Sequence, residues 1–391
     1  MGSIRTAIFG VGNCASSLVQ GRFYYSDRKA NVPGLITKNL GGYYAADIEY
    51  VAAFDIDRRK VGLDLSKAIF SPPNCTTIFQ SKIPNMKCVV EQGYIIDSIA
   101  AHNQDFSEHQ RFEPLKNRDA SQAEAKARIV KTLKAKNVEV VVNYLPVGSE
   151  LNVRFYAQCA LEAGCAFVNA VPVFVSKIMG EEFKRKGLPI LGDDIKSQVG
   201  ATIVHRVLAK LFEDRGQSIK RTYQLNVGGN TDFMNMLDRN RLESKKISKT
   251  QAVTSQLNGT CPPKDDVHVG PSDFVPWLND NKLCFIRIEA EQFGGVPMNL
   301  ELRLSVEDSP NSAGVITDAI RAAKVALDRK LAGPIIEASA YLFKSPVRQF
   351  DDSVARQMLL DYGATPAVRV TLKNAPAKNG ARSKRSLAAA R

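Results

Sequence analysis

Short apolar runs alternate with longer stretches of helical periodicity through the first half of this chain. Thr6-Ala7-Ile8-Phe9-Gly10 reads as a strand, and the stretch through Ser16-Ser17-Leu18-Val19 as the helix after it. A polar, Gly-rich segment from about 26 to 47 interrupts the pattern. Tyr50-Val51-Ala52-Ala53-Phe54-Asp55 then predicts a second strand, and Lys60 to Phe70 its helix. No pattern is readable over 71–120. Order resumes with a charged amphipathic helix from Ala123 to Lys136 and a strand over Val138–Tyr144. A helix from about Ser149 to Ala163 follows, then strands at Ala166–Ala170 and Leu188–Gly192. Repeated β-α units with apolar strands predict an α/β fold: a doubly wound, Rossmann-type parallel sheet with helices on both faces.

The texture changes after Gly200. A helix is predicted from Ala201 to Glu213, and strands at Thr222–Val227 and Leu283–Ile288. Leu300 to Val306 alternates strictly between apolar and polar, as a half-exposed antiparallel strand does. A helix from Asn311 through Lys330 suggests a return to the first sheet. The expected organisation is a discontinuous dinucleotide-binding domain over 1–197 and 309–373. An α+β catalytic and oligomerisation domain is inserted over 198–308, and 374–391 form a tail.

Composition narrows this picture only a little. At 391 residues, with 44% hydrophobic and 24% charged positions, the chain has ample material for a large core. No apolar run approaches the roughly 20 residues that cross a bilayer, and Met1-Gly2-Ser3-Ile4-Arg5 lacks a basic-then-apolar leader, so a cytoplasmic protein with no membrane partner is expected. Gly2 and Thr6 fit a myristoylation pattern, which early entry into a strand argues against. Seven cysteines without a CxxC pair predict reduced thiols rather than disulfides or zinc, and the four histidines show no ligand spacing, so no metal site is read from the sequence. The net charge of +13 raises nucleic acid as a partner. The Ala-, Gly- and Ser-rich tail supplies five of those charges (Lys378, Arg382, Lys384, Arg385 and Arg391) and reads as a solvated extension instead.

Candidate chemistry begins at Gly10-x-Gly12-x-x-Ala15, placed between a strand and a helix. The first glycine permits the tight turn, and the second lets backbone N–H groups approach a pyrophosphate. The helix N-terminus then stabilises that anion, with Ala15 in place of a third glycine. Cys14 and Asn13 lie in the same turn. Asp55 ends the next strand, where a carboxylate accepts hydrogen bonds from ribose hydroxyls and favours NAD over NADP. Its distance from Gly12 exceeds the usual spacing of about 20 residues, which the polar segment at 26–47 explains as an insertion. Further along, Gly192-Asp193-Asp194-Ile195-Lys196-Ser197 closes one strand, and Asn226-Val227-Gly228-Gly229-Asn230-Thr231-Asp232 closes another. Ser244-Lys245-Lys246-Ile247-Ser248-Lys249 clusters cations and hydroxyls suited to a phosphate. Lys282, Asp308-Ser309-Pro310-Asn311-Ser312 and Lys344-Ser345-Pro346 complete a set that no fold requires.

Asn143-Tyr144-Leu145-Pro146-Val147-Gly148-Ser149-Glu150, the run from Gly192 to Gly200 and the run from Asn226 to Lys249 resemble the inositol-3-phosphate synthase family, in its shorter actinobacterial branch. The resemblance extends from about Ile8 to Val347 and is most specific over 140–345. The turn departs from the GxGGNNG form of eukaryotic members and looks like the bacterial one. The resemblance implies an isomerase of inositol and phospholipid biosynthesis that converts D-glucose 6-phosphate to 1D-myo-inositol 3-phosphate, with NAD reduced and reoxidised in each turnover. It further implies roles by motif position: Lys245 and Lys344 at the carbon 5 oxygen, Lys282 at the carbon 1 oxygen, and Lys249, Ser248 and Asn230 at the phosphate. Asp194, Asp308 and Asp232 would balance the lysines, whose pKa values burial and mutual proximity are expected to depress. Tyr144, Pro146, Asn169, Asp194 and Ser309 would join the turn in holding NAD. A divalent cation at Asp308–Ser309 and a homotetramer built through the inserted domain are also within what the family implies. An NAD-dependent dehydrogenase of another sugar phosphate or semialdehyde, and a non-catalytic binding protein, stay open at this point.

Overall fold

The computed structural model of the chain describes residues 2–28, 33–238, 262–270 and 273–364. Lys245, Ser248, Lys249 and the basic tail lie outside them. Seven strands form one parallel sheet in the order β12-β6-β5-β4-β1-β2-β3. They are β1 Ile4–Phe9, β2 Ile48–Asp55, β3 Val90–Gln92, β4 Val140–Asn143, β5 Ala166–Asn169, β6 Pro189–Leu191 and β12 Gly333–Pro334. Side chains alternate between faces, so the sheet carries two cores. Ile4, Ile8 and Val142 pack with Leu18, Ile316 and Ile320 on one side. Ala7, Phe9 and Val141 pack with Ile129, Val153 and Phe167 on the other.

Helices α1 Asn13–Tyr24, α2 Leu65–Ala68, α3 Gln122–Ala135, α4 Glu150–Ala163, α5 Val175–Ile178 and α6 Gly180–Arg185 belong to this half. The expected helix from Lys60 to Phe70 shrinks to α2. Gly62 has φ +90, and Asp64 accepts the amide of Ser66 as a helix cap, so the chain turns before the helix can begin. The unreadable stretch 71–120 contains β3 and a 3₁₀ turn at Ala101–Asp105. The insertion at 26–47 is held by buried Arg321, which donates to the carbonyls of Thr37, Lys38 and Tyr43.

After α7, Ala201–Asp214, the chain builds a second sheet from β7 Ser218–Gly228, β8 Val267–Val269, β9 Asp273–Phe274, β10 Asn281–Glu291 and β11 Pro297–Glu307. Its order is β11-β10-β7-β8, with β9 also on β7, and β7, β10 and β11 run antiparallel. Ala209 and Phe212 of α7 cover the inner face at Cys284, Ile286 and Ile288. Helix α8, Thr231–Asn235, follows β7. Helix α9, Asp308–Asp328, starts three residues earlier than the expected Asn311 and returns to the first sheet, followed by α10 Ile336–Leu342 and α11 Asp352–Gly363. Among the described residues no helix is long and apolar enough to cross a membrane. None of the six described cysteines forms a disulfide.

Candidate active site

One cavity opens where β1 and β4 point their C-terminal ends at the second sheet, and it takes its walls from both. Strands β1 and β4 are neighbours in space although β2 and β3 intervene in sequence. Such a switch point leaves a crevice at the strand ends. Gly10 sits there with φ +91, and a Cβ on it would lie 2.7 Å from the carbonyl oxygen of Tyr144. Only glycine fits that approach. Gly12 caps α1, and a Cβ on it would meet nothing within 4 Å. The space above the helix N-terminus is therefore open to an anion. Ala15 is buried in the core beside β1, as close helix–sheet packing requires.

Asp55 lines the cavity and accepts the amide of Val11 at 2.7 Å. Asn13 lines the cavity as well and also ties down a loop: its amide oxygen accepts the backbone N–H groups of Cys75 and Thr76 at 2.6 and 3.1 Å. Cys14 faces Ser309, with Sγ–Oγ 3.8 Å, and burial with nearby Asp280 and Asp308 pushes its thiol up to about 12. It is thus a protonated wall. Tyr144 and Pro146 line the cavity, and the buried Tyr144 hydroxyl has no hydrogen-bond partner. Asn169 is apart from it, fully buried and bonded to Asn143, Asp193 and the carbonyls of Val171 and Val173.

Two lysine–carboxylate pairs face the same space. Lys282 Nζ lies 3.1 Å from Asp308 Oδ1, and Lys344 Nζ 2.9 Å from Asp194 Oδ1. The second pair is set by two loops that zip together: Lys344 donates its amide to the Asp194 carbonyl and Ser345 to that of Asp193, while Lys196 donates to Leu342. Asp194 adopts φ +61 there. Burial opposes the charge on Lys282, but Asp308 and Asp232 outweigh it and raise its pKa. The expectation of depressed lysines therefore fails at Lys282, because carboxylates surround it rather than other cations. Asn230 lines the cavity, yet its amide is largely committed. Its oxygen caps α8 through Asp232 and Phe233, and its nitrogen donates to Asp280.

Two buried charged groups escaped the sequence reading. Asp280 accepts from Asn230 Nδ2, Ser309 N and Ser309 Oγ, and its own carbonyl accepts the Asp308 amide. It stands in the turn just before β10, two residues before Lys282, and that spacing of two is the signal that could have found it. Lys60 donates to the Val11 carbonyl and to Asn74 Oδ1, both at 2.8 Å, bracing the glycine turn from beneath. Among the described residues no three His, Cys, Asp or Glu side chains converge as a metal site would need. Asp308, the residue expected to ligate a cation, is engaged by Lys282.

The family described as myo-inositol-1-phosphate synthase matches residues 200–309. A protein of Mycolicibacterium smegmatis called inositol-3-phosphate synthase is 55% identical over 365 residues, 92% of this chain and 97% of its own. One of Corynebacterium glutamicum with the same name is 52% identical over 366 residues, 91% and 97% of the two chains. Among solved structures, a myo-inositol-1-phosphate synthase-related protein from Thermotoga maritima superposes with a TM-score of 0.77 over 93% of this chain and 99% of that one. At 24% identity that likeness concerns the fold.

Proposed function

The chain belongs to the myo-inositol-1-phosphate synthase family, and on that footing we propose that it is an inositol-3-phosphate synthase converting D-glucose 6-phosphate to 1D-myo-inositol 3-phosphate. The observation that carries this reading is a single cavity shared by a dinucleotide turn and two lysine–carboxylate pairs. A simple dehydrogenase needs the turn but not two preorganised cations.

Gly10, Gly12, Cys14 and the N-terminus of α1 would hold the pyrophosphate of NAD, and Asp55 its adenosine ribose. When bound, NAD supplies the acceptor for a hydride from carbon 5 of the sugar and its return after ring closure. Every other demand falls on the protein. The carbon 5 ketone and the enolate derived from it place negative charge on oxygen, and cations fixed in a dry site stabilise such charge most. Lys344, oriented by Asp194, hydrogen-bonds the carbon 5 oxygen from Nζ, with Lys245 assisting. Lys282, kept protonated by Asp308 and Asp232, donates from Nζ to the carbon 1 oxygen as carbon 6 attacks. Ser248 and Lys249 bind the phosphate, with Asn230 contributing its remaining N–H. The described carboxylates do not suit a divalent cation, and no step is assigned to one. Residues 1–197 with 309–373 would form the cofactor unit, which also carries Asp194 and Lys344, and the inserted unit over 198–308 would bring Lys282 to it. A homotetramer through the second sheet fits the half-exposed Tyr223, Leu225 and Phe285 on its outer face.

Incubation with glucose 6-phosphate and NAD tests the reaction, following absorbance of NADH and periodate-releasable phosphate together. Product without net NADH is expected. Stoichiometric NADH would instead identify a dehydrogenase. Lys282→Ala should lower turnover by about 10²–10³-fold with NAD binding intact, and full activity in that variant would overturn the assignment.

A further inference from the structure

The turn after β2 bears on which dinucleotide this chain admits, an inference that rests on the NAD reading. In nucleotide-binding sheets of this kind, a carboxylate at the strand end takes the ribose hydroxyls, whereas a nearby arginine accommodates the 2′-phosphate of NADP. Here Asp55 is followed by Ile56, Asp57, Arg58 and Arg59, so both kinds of residue stand at the same place. A carboxylate alone does not explain exclusion of NADP when two arginines are within four positions of it.

The geometry shows where those arginines are spent. Asp55 Oδ1 accepts the amides of Ile56 and Asp57 at 2.7 and 2.9 Å, which folds the turn back on itself. Asp57 is completely buried and grips Arg59 with both oxygens, Oδ1 on Nε at 2.8 Å and Oδ2 on Nη2 at 2.6 Å. Arg59 also donates to the carbonyls of Glu108 and Arg111 at 2.6 and 2.8 Å. Four of its five N–H groups are thereby in use. Arg111 precedes Phe112, a residue of the cavity wall, so the guanidinium is held against the backbone just behind that wall. The other cations nearby also have partners, although Arg58 is half-exposed and more loosely held than Arg59. Arg58 pairs with Glu108 and Glu113, and Arg111 with Glu113. Lys60 is turned to the Val11 carbonyl.

We propose that Asp57 is a specificity-determining positioning residue: by fixing Arg59 in a two-pronged pair it withholds the cation that a 2′-phosphate would need. Exclusion of NADP then has two layers, the charge of Asp55 and the sequestration of Arg59. Planar, two-pronged pairing is the strongest hold a carboxylate has on a guanidinium, and the same geometry would serve a phosphate equally well. The arginine is latent rather than missing.

The test titrates the full-length protein with NADH and with NADPH, following fluorescence of the reduced cofactor. The unaltered chain should bind NADH and discriminate strongly against NADPH. Asp55→Ser should weaken NADH binding without creating NADPH binding, because Arg59 stays engaged. Asp55→Ser with Asp57→Asn should raise NADPH affinity about tenfold or more over the single variant, and adding Arg59→Ala should cancel that gain. Asparagine keeps an acceptor for the Glu113 amide, which limits damage to the turn. Should the double variant fail to fold, Ile56→Arg in the Asp55→Ser background places an uncommitted arginine on the cavity wall and should give the same gain. NADPH binding by Asp55→Ser alone at the level of the double variant would overturn the proposal. So would a gain that survives Arg59→Ala, or no gain from Ile56→Arg. Failure of the unaltered chain to bind either cofactor would remove the NAD reading itself, and this inference with it.

Discussion

Asp280 carries a carboxylate into a region nearly closed to solvent, beside a second carboxylate at Asp308. Burial first, and then Asp308, pushes its pKa up to about 6, against hydrogen bonds from Thr76, Asn230 and Ser309. Because the folded value exceeds the unfolded one, near 3.8, protonation favours the folded state. That contribution is complete below the unfolded value and is lost as pH rises through about 6. Between about pH 4 and 7 this single group should cost the folded protein on the order of 2–3 kcal/mol, and Asp280→Asn should lack that slope. Urea midpoints of the two proteins across the range measure it, and parallel curves would mean that Asp280 stays ionised throughout. Asp194, Lys282, Asp308 and Lys344 are legible in the sequence because each sits close to where a strand or helix begins or ends, within a motif that resembles the family. Their pairing is not legible: 150 positions separate Lys344 from Asp194, and only the zipped loops bring them together. Asp280 is harder still: it lies in the turn just before β10, and only its spacing of two from Lys282 sets it apart from a solvated acid.

At the scale of elements, the two glycines of the cofactor turn make opposite demands. Alanine at position 10 would meet the Tyr144 carbonyl and sit at a positive φ, so Gly10→Ala should destabilise the fold by about 1–3 kcal/mol. Alanine at position 12 meets only open space, so Gly12→Ala should leave the melting temperature nearly unchanged while weakening NAD binding about tenfold or more by intruding on the pyrophosphate. Thermal denaturation and cofactor titration of both variants separate the effects; equal loss of stability in the two would refute the distinction. Long elements are legible in the sequence, and the strands of two or three residues at β3, β8, β9 and β12 are not. The strict alternation over Leu300–Val306 extends to β11, and the apolar run over Tyr50–Asp55 lies within β2. The helix after β2 misled, because apolar spacing over Lys60–Phe70 outvotes Gly62 and Asp64 when local turn chemistry is left out.

For the whole molecule, the α/β class and the parallel sheet are readable because buried strands must be continuously apolar and their crossovers helical. What lies over 71–120 is unreadable because its backbone is held by side chains distant in sequence, such as Asn13 on Cys75 and Asn152 on Ile96. Assembly is argued at this scale too. Leu225 and Phe285 pair across β7 and β10 on the outer face, each more than a third exposed. If that face joins subunits, Leu225→Asp with Phe285→Asp should reduce the particle to a smaller species by light scattering while far-ultraviolet circular dichroism is retained. An unchanged mass would place the interface elsewhere. Helix α9 is the longest of the described helices. It begins at Asp308 and Ser309 in the cavity, continues for 21 residues along the first sheet, and ends with Ala319, Ile320, Ala323 and Ala326 wholly buried. The acid that holds Lys282 is therefore the tip of a rod about 31 Å long whose shaft is the core itself. The Lys282–Asp308 pair should accordingly have no melting point of its own: on slow warming its acid stays in place until the core gives way.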